Sequence, residues 1–274
     1  MPNRQRLTGL PELDPKRQDQ IRRCASWVWR TFCDGGTPDP ERIIRRDRRL
    51  SLDLCELEGI KPAVTVCLGP SDFVIFLDPR KADPQSPRWR FILAHELGHC
   101  FLQEHVDDMV GGSTPFVRGY PVTQREVMAD QEASYFASTL LMPDEQFWVA
   151  VRDAGESFDG IRKISKEFNV SIEAALIRCV QATRLRCAAV RFLPTGWVYT
   201  SVSPLANSDW GLSRQSRLKC LELTTHCSKF RTLKDWFLGL PDEVAAEPVI
   251  QRTAPIGKMA RFGYVTLLSE RGYW

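Results

Sequence analysis

Hydrophobic positions recur along this chain with two different periods, and the period changes as the chain proceeds. Residues 1–18 carry few apolar side chains and read as a loose arm. Over 19–33, Ile21, Trp27, Val28 and Phe32 recur at helical spacing, which predicts an amphipathic helix stopped by Asp34-Gly35-Gly36-Thr37-Pro38. A short helix from Pro40 to Arg48 is expected next. Three strand-like pieces follow, Leu50–Cys55, Ala63–Leu68 and Asp72–Leu77, and Gly69-Pro70-Ser71 joins the last two as a hairpin. The stretch Trp89 to Leu102, WRFILAHELGHCFL, is apolar around most of its circumference. With Ser86 as N-cap and Pro87 in the first turn, it predicts a buried helix.

A glycine-bearing loop is expected over 106–122. Thr123-Gln124-Arg125-Glu126 then fits a capping box and opens a helix that Pro143 stops after Met142. Asp144 is expected to cap a further helix, and two shorter ones follow, Asp159–Phe168 and Ser171–Thr183. From Arg186 the texture turns to period two. CAAVRF and WVYTSVS flank Leu193-Pro194-Thr195-Gly196 as a hairpin, a helix is expected near Thr232–Leu238, and MARFGYVTLL reads as a strand. This change places a domain boundary near residue 185, giving domains 1–184 and 185–274.

The length of 274 residues allows a substantial core in one or two domains. No apolar run approaches the length that spans a bilayer, and the N-terminus lacks the apolar core of a secretory signal. Nine cysteines, an odd number with no CxxC pair, point to reduced thiols in the cytoplasm. The net charge of +3 makes no electrostatic case for nucleic acid.

Inside the apolar helix lies His95-Glu96-Leu97-Gly98-His99, an H-E-x-x-H pattern. Residues four apart on a helix share a face, so His95 and His99 can aim both imidazoles at one metal ion. Glu96 is placed to act as general base, the arrangement of a zinc hydrolase. Half of the four histidines fall within these five residues, which is a poor fit to two incidental core histidines. Cys100 points about 100° away from His99 and reads as packing. Gly98 is expected to leave room beside the metal.

A catalytic zinc site needs a third protein ligand. His105 lies where a metzincin places its last histidine, but that pattern needs glycine at 102, and this chain has Leu102. Glu126 is already accounted for by the capping box. Glu132 projects within an apolar face formed by Met128, Ala129, Ala133, Phe136, Ala137, Leu140 and Leu141, where an unpaired carboxylate is costly. It is therefore the stronger candidate, against a buried salt bridge, for instance to Arg125. Asp130, at the margin of that face, reads as a supporting group or as exposed.

RFILAHELGHCFL followed by QEASYFASTLLMP resembles the ImmA/IrrE family of zinc metallopeptidases. The similarity extends over roughly 40–183 and includes ISKEFNVSIEAALIRC. By position it implies His95, His99 and Glu132 as metal ligands and Glu96 as general base, with Zn2+, or Mn2+, as cofactor. It also implies a zincin-like helical core with a small N-terminal sheet. Residues 185–274 lie outside the resemblance and are expected to add a smaller α+β domain, so the fold expected is α+β. In this family such extensions can resemble modules that sense a signal or recognise substrate. The implied activity is endopeptidase cleavage of a protein, such as a helix-turn-helix transcriptional repressor, in stress or mobile-element regulation. Tyr120, Arg125 and Tyr135 are candidate oxyanion donors. The strand Asp72–Leu77 is expected to hold substrate by edge pairing, and the 106–122 loop to act as a lid.

Two rival readings differ in class. IRKISKEFNVSIEAALIRC has the outline of a helix-turn-helix, but its second helix opens Ser171-Ile172-Glu173-Ala174, an acidic, apolar start unsuited to reading bases, which disfavours direct DNA binding. A non-catalytic metal-dependent binding protein would have no use for Glu96.

Overall fold

The computed structural model describes residues 13–59, 61–112, 124–155 and 158–182, and beyond these the strands 187–193, 196–202, 211–212, 227–232, 237–238, 248–256 and 260–267. The fold is α+β. The described residues divide into two compact units. One is Glu12–Gly155 with Lys163–Ala174, and the other is Glu156–Arg162 with the chain from Ala175 onward.

The first unit carries the H-E-x-x-H helix. Helix α1, Pro15–Cys33, starts earlier than its apolar spacing suggests, because Asp14 accepts from the Lys16 amide and Pro15 sets the first turn. Helix α2, Pro40–Arg46, is capped by Asp39. Strands β1, Leu50–Leu54, β2, Ala63–Gly69, and β3, Asp72–Leu77, form a sheet in the order β1-β3-β2. The hairpin β2–β3 is antiparallel, as its turn residues predict, while β1 pairs parallel to β3. Since β3 is central and paired on both sides, it has no edge to offer a substrate. Among the described residues, the edge strands of this sheet are β1 and β2.

Helix α3, Pro87–Phe101, carries the motif, and the Ser86 hydroxyl accepts from the Trp89 amide as expected. It stops at Leu102, whose φ of −80° and ψ of 115° lie in the extended region that any residue adopts, so no glycine is needed to break it. The chain then forms a new helix, α4, Gln103–Val110, where a loop was expected. The remainder of that loop, with Gly119, Tyr120 and the capping threonine Thr123, lies outside the described residues.

Helix α5, Gln124–Leu141, packs against both α3 and α1. Leu93 and Leu97 of α3 and Ala133, Phe136, Ala137 and Leu140 of α5 are wholly buried in the core. Each large apolar side chain removed from water in this way contributes about 1.5–3 kcal/mol. Helix α6 runs Asp144–Ala154 with Pro143, not Asp144, at the cap position. Helices α7, Phe158–Glu167, and α8, Ile172–Ala182, fall close to their expected spans.

The second unit is built around a five-stranded antiparallel sheet in the order β5-β4-β10-β9-β7. Its strands are β4, Cys187–Leu193, β5, Gly196–Val202, β7, Cys227–Thr232, β9, Pro248–Ile256, and β10, Ala260–Leu267. A small pair joins β6, Gly211–Leu212, to β8, Phe237–Leu238. The β4–β5 hairpin and the β10 strand match the period-two reading. Of the helix expected near Thr232–Leu238, Thr232 closes β7 and Phe237–Leu238 forms β8, where strand partners distant in sequence outweigh local spacing, while 233–236 lie outside the described residues. Among the described residues, no helix is long and apolar enough to cross a membrane.

Candidate metal centre

The site grows from the contact between α3 and α5. A Cβ on Gly98 would lie 3.0 Å from the Ala133 Cα, 3.2 Å from its carbonyl oxygen and 3.3 Å from its Cβ. Gly98 therefore serves the approach of α5 to α3, not open space beside a metal. Gly98→Val should wedge the two helices apart. The obstacle is helix backbone, which cannot swing aside as a side chain can, so the expected loss is about 1–3 kcal/mol of unfolding free energy, read from chemical denaturation. An unchanged midpoint would show that the helices separate freely here.

With α5 held this close, its side chains reach the motif from two directions. Residues two apart on a helix point about 200° apart, so Asp130 and Glu132 face different neighbours. Asp130 and Ser134, four apart, share a face turned to His95. The Asp130 Oδ1 lies 3.5 Å from the His95 Nε2, and the Ser134 Oγ lies 3.2 Å from the His95 Nδ1. Burial is the largest influence and works to raise the Asp130 carboxyl, but the hydrogen bond to His95 and the charges of His95 and Lys61 together hold it below the usual range. Glu132 faces the other way. Its Oε2 accepts from the Arg17 Nη2 at 2.5 Å and lies 3.1 Å from the His105 Nε2. Burial again opposes ionisation, but His105 and Arg17 together bring the Glu132 carboxyl down to about 2.

The His95 and His99 rings are brought together as the spacing predicts, with Nε2 atoms 3.3 Å apart. Two nitrogens bound to one tetrahedral ion at about 2.05 Å stand about 3.3 Å apart. At this distance either one Nε2 carries a hydrogen toward the other or a cation lies between them, and the separation matches two donors on a shared ion. Burial, then the neighbouring His95 and His105, keep His99 protonated only well below the usual histidine range, which leaves it neutral as a ligand must be. Among the described residues, no group of three or more His, Cys, Asp or Glu side chains converges as a finished metal cage.

Glu96 is buried, and its Oε2 accepts a 2.7 Å hydrogen bond from the Thr65 hydroxyl of β2. That bond fixes the rotation of the carboxylate. Cys100 is buried too, and burial pushes its thiol up, so it remains a packing group. His105 does approach His99, through Nδ1 atoms 3.1 Å apart, because the break at Leu102 turns α4 back beside α3. It reaches the opposite nitrogen from the one facing His95. Arg125, considered as the salt-bridge partner of Glu132, instead pairs with Asp108, and Glu132 finds Arg17. Tyr120 lies outside the described residues.

Arg17, Thr65 and Ser134 were not singled out from the sequence. Thr65 had a signal: it is the polar residue at an inward position of an otherwise apolar strand. Arg17 had none, since a charged residue in a polar arm carries no period.

Residues 70–180 match the model of the IrrE N-terminal-like domain, Peptidase M78. Over 94% of this chain and 95% of its own, a Mycobacterium tuberculosis transcriptional regulator of known structure shares the fold, with a TM-score of 0.61 at 13% sequence identity. No curated protein sequence matches the chain.

Proposed function

We propose, from the premise that residues 70–180 belong to the M78 peptidase family, that this chain is a zinc-dependent endopeptidase whose substrate is a transcriptional repressor. The family implies a metal cofactor, and the observation that carries the reading is the 3.3 Å separation of the His95 and His99 Nε2 atoms. In this reading those two nitrogens are metal ligands and the carboxylate corner falls to Asp130, whose Oδ1 is the carboxylate oxygen beside them. Glu132, the carboxylate expected there from sequence, is engaged by His105 and Arg17. A bound divalent ion supplies the Lewis acidity that makes water a competent nucleophile near neutral pH.

The chain's own groups do the rest. Glu96, held at one oxygen by Thr65, takes the proton of the attacking water on the other and passes it to the leaving amine. The β2 edge, rather than β3, is the strand available to align an extended peptide, and β2 also carries Thr65.

The test is direct. Metal-loaded protein incubated with helix-turn-helix repressors should yield two discrete fragments, and a chelator should stop the cleavage. Protein that binds zinc stoichiometrically yet leaves every such repressor intact would overturn the reading. A salt-sensitive complex with DNA in its place would favour the helix-turn-helix alternative.

A further inference from the structure

His99 stands at one end of an unbroken hydrogen-bonded file. Its Nδ1 lies 3.1 Å from the His105 Nδ1, and the His105 Nε2 lies 3.1 Å from the Glu132 Oε2. Glu132 is in turn bound by the Arg17 Nη2 at 2.5 Å, and the Arg17 Nη1 donates to Glu104 at 2.6 Å. His99 and His105 are both buried. The file joins α1, α3, α4 and α5.

Proton accounting along it leaves little choice. A carboxylate only accepts, so the His105 Nε2 must carry a hydrogen. Only one hydrogen fits between the two facing Nδ1 atoms, and a His99 that gives its Nε2 lone pair to a metal carries its own hydrogen on Nδ1. The His99 Nδ1 is then the donor and the His105 Nδ1 the acceptor, which agrees with a hydrogen on the His105 Nε2 facing Glu132. The His99 Nε2 is left with its lone pair, and that is the nitrogen facing His95. His95 is placed differently: its Nε2 lies 3.5 Å from the Asp130 Oδ1, and the Ser134 hydroxyl at its Nδ1 can either donate or accept.

We infer that Glu132 and His105 are positioning residues that fix His99 in its Nδ1–H tautomer, so that its Nε2 is preformed as a metal ligand, with Arg17 anchoring the far end. The inference rests on the metal-site reading above. It assigns Glu132 to the support of a ligand rather than to the metal itself. Partners of this kind orient the ligand and raise its basicity, and their loss commonly costs 10–100-fold in metal affinity.

Two replacements of His105 separate this role from packing. His105→Phe fills the buried space but offers no acceptor. His105→Asn leaves a smaller side chain but puts a carbonyl oxygen near the position of Nδ1. Zinc affinity, measured by competition with a chromophoric chelator, should fall about 10–100-fold in the Phe variant and stay close to wild type in the Asn variant. Long-range 1H–15N correlation spectra of the metal-free protein should show His99 as the Nδ1–H tautomer in wild type and in His105→Asn, and not in His105→Phe.

A packing role gives the reverse ranking, with Asn weaker than Phe, and would overturn the inference. So would an Nε2–H tautomer for His99 in metal-free wild type, a measurement that needs no variant to fold. Wild-type protein that binds no metal while His99 shows the Nδ1–H tautomer would instead sink the peptidase reading and leave the file intact.

Discussion

Glu96→Gln should lower the rate of peptide-bond cleavage by about 10²–10⁴-fold, the range general-base catalysis supplies, while leaving metal affinity nearly unchanged. Glutamine keeps the shape of the side chain. Its carbonyl oxygen can still accept the Thr65 hydroxyl that now holds the carboxylate at 2.7 Å. The His95 and His99 nitrogens are not touched. What is lost is the capacity to take a proton from water. Single-turnover cleavage by metal-loaded protein, read beside a zinc titration of the same samples, checks both halves. A variant that cleaves at the wild-type rate would remove Glu96 from the chemistry. One that loses its metal would show that Glu96 supports the site instead of acting in it.

The parts of the site that were legible in the sequence are those fixed by a short period. His95, Glu96 and His99 lie within five residues of one helix, and the Ser86 cap and Pro87 start are local signals that the structure repeats. The β2–β3 hairpin announces itself through Gly69-Pro70-Ser71 in the same way. The misses have the opposite character. A single extended residue at Leu102 redirects the chain into α4, and a buried leucine gives no notice of it. That one residue carries His105 to His99, whereas a continued helix would carry it away.

Which neighbours Asp130 and Glu132 face was also out of reach of periodicity. It turns on how α5 is rotated against α3, and that rotation is set where Gly98 meets Ala133. The burial argument correctly required a partner for Glu132, but the partner that costs least was Arg17, more than a hundred residues earlier. In the C-terminal unit, pairing between β7 and β9 and between β6 and β8 places Thr232, Phe237 and Leu238, at the ends of the expected helix, in strands.

Asp130→Asn and Glu132→Gln should separate the two carboxylates by their effect on metal. Removing a ligand takes away both a bond to the ion and the negative charge that draws it in. Asp130→Asn is therefore expected to weaken zinc binding by well over the 10–100-fold typical of supporting partners, and to abolish cleavage with it. In Glu132→Gln the amide oxygen can still accept from the His105 Nε2, so the file to His99 survives in weakened form. Its loss of affinity should stay within about 10–100-fold, and excess zinc should restore cleavage. Isothermal titration of both variants, with cleavage measured at rising metal concentration, distinguishes them. The reverse order, with Glu132→Gln metal-free and Asp130→Asn rescued by zinc, would place Glu132 on the ion. That outcome would require α5 to turn from the orientation in which Asp130 lies 3.5 Å and Glu132 two hydrogen bonds away from the facing imidazoles.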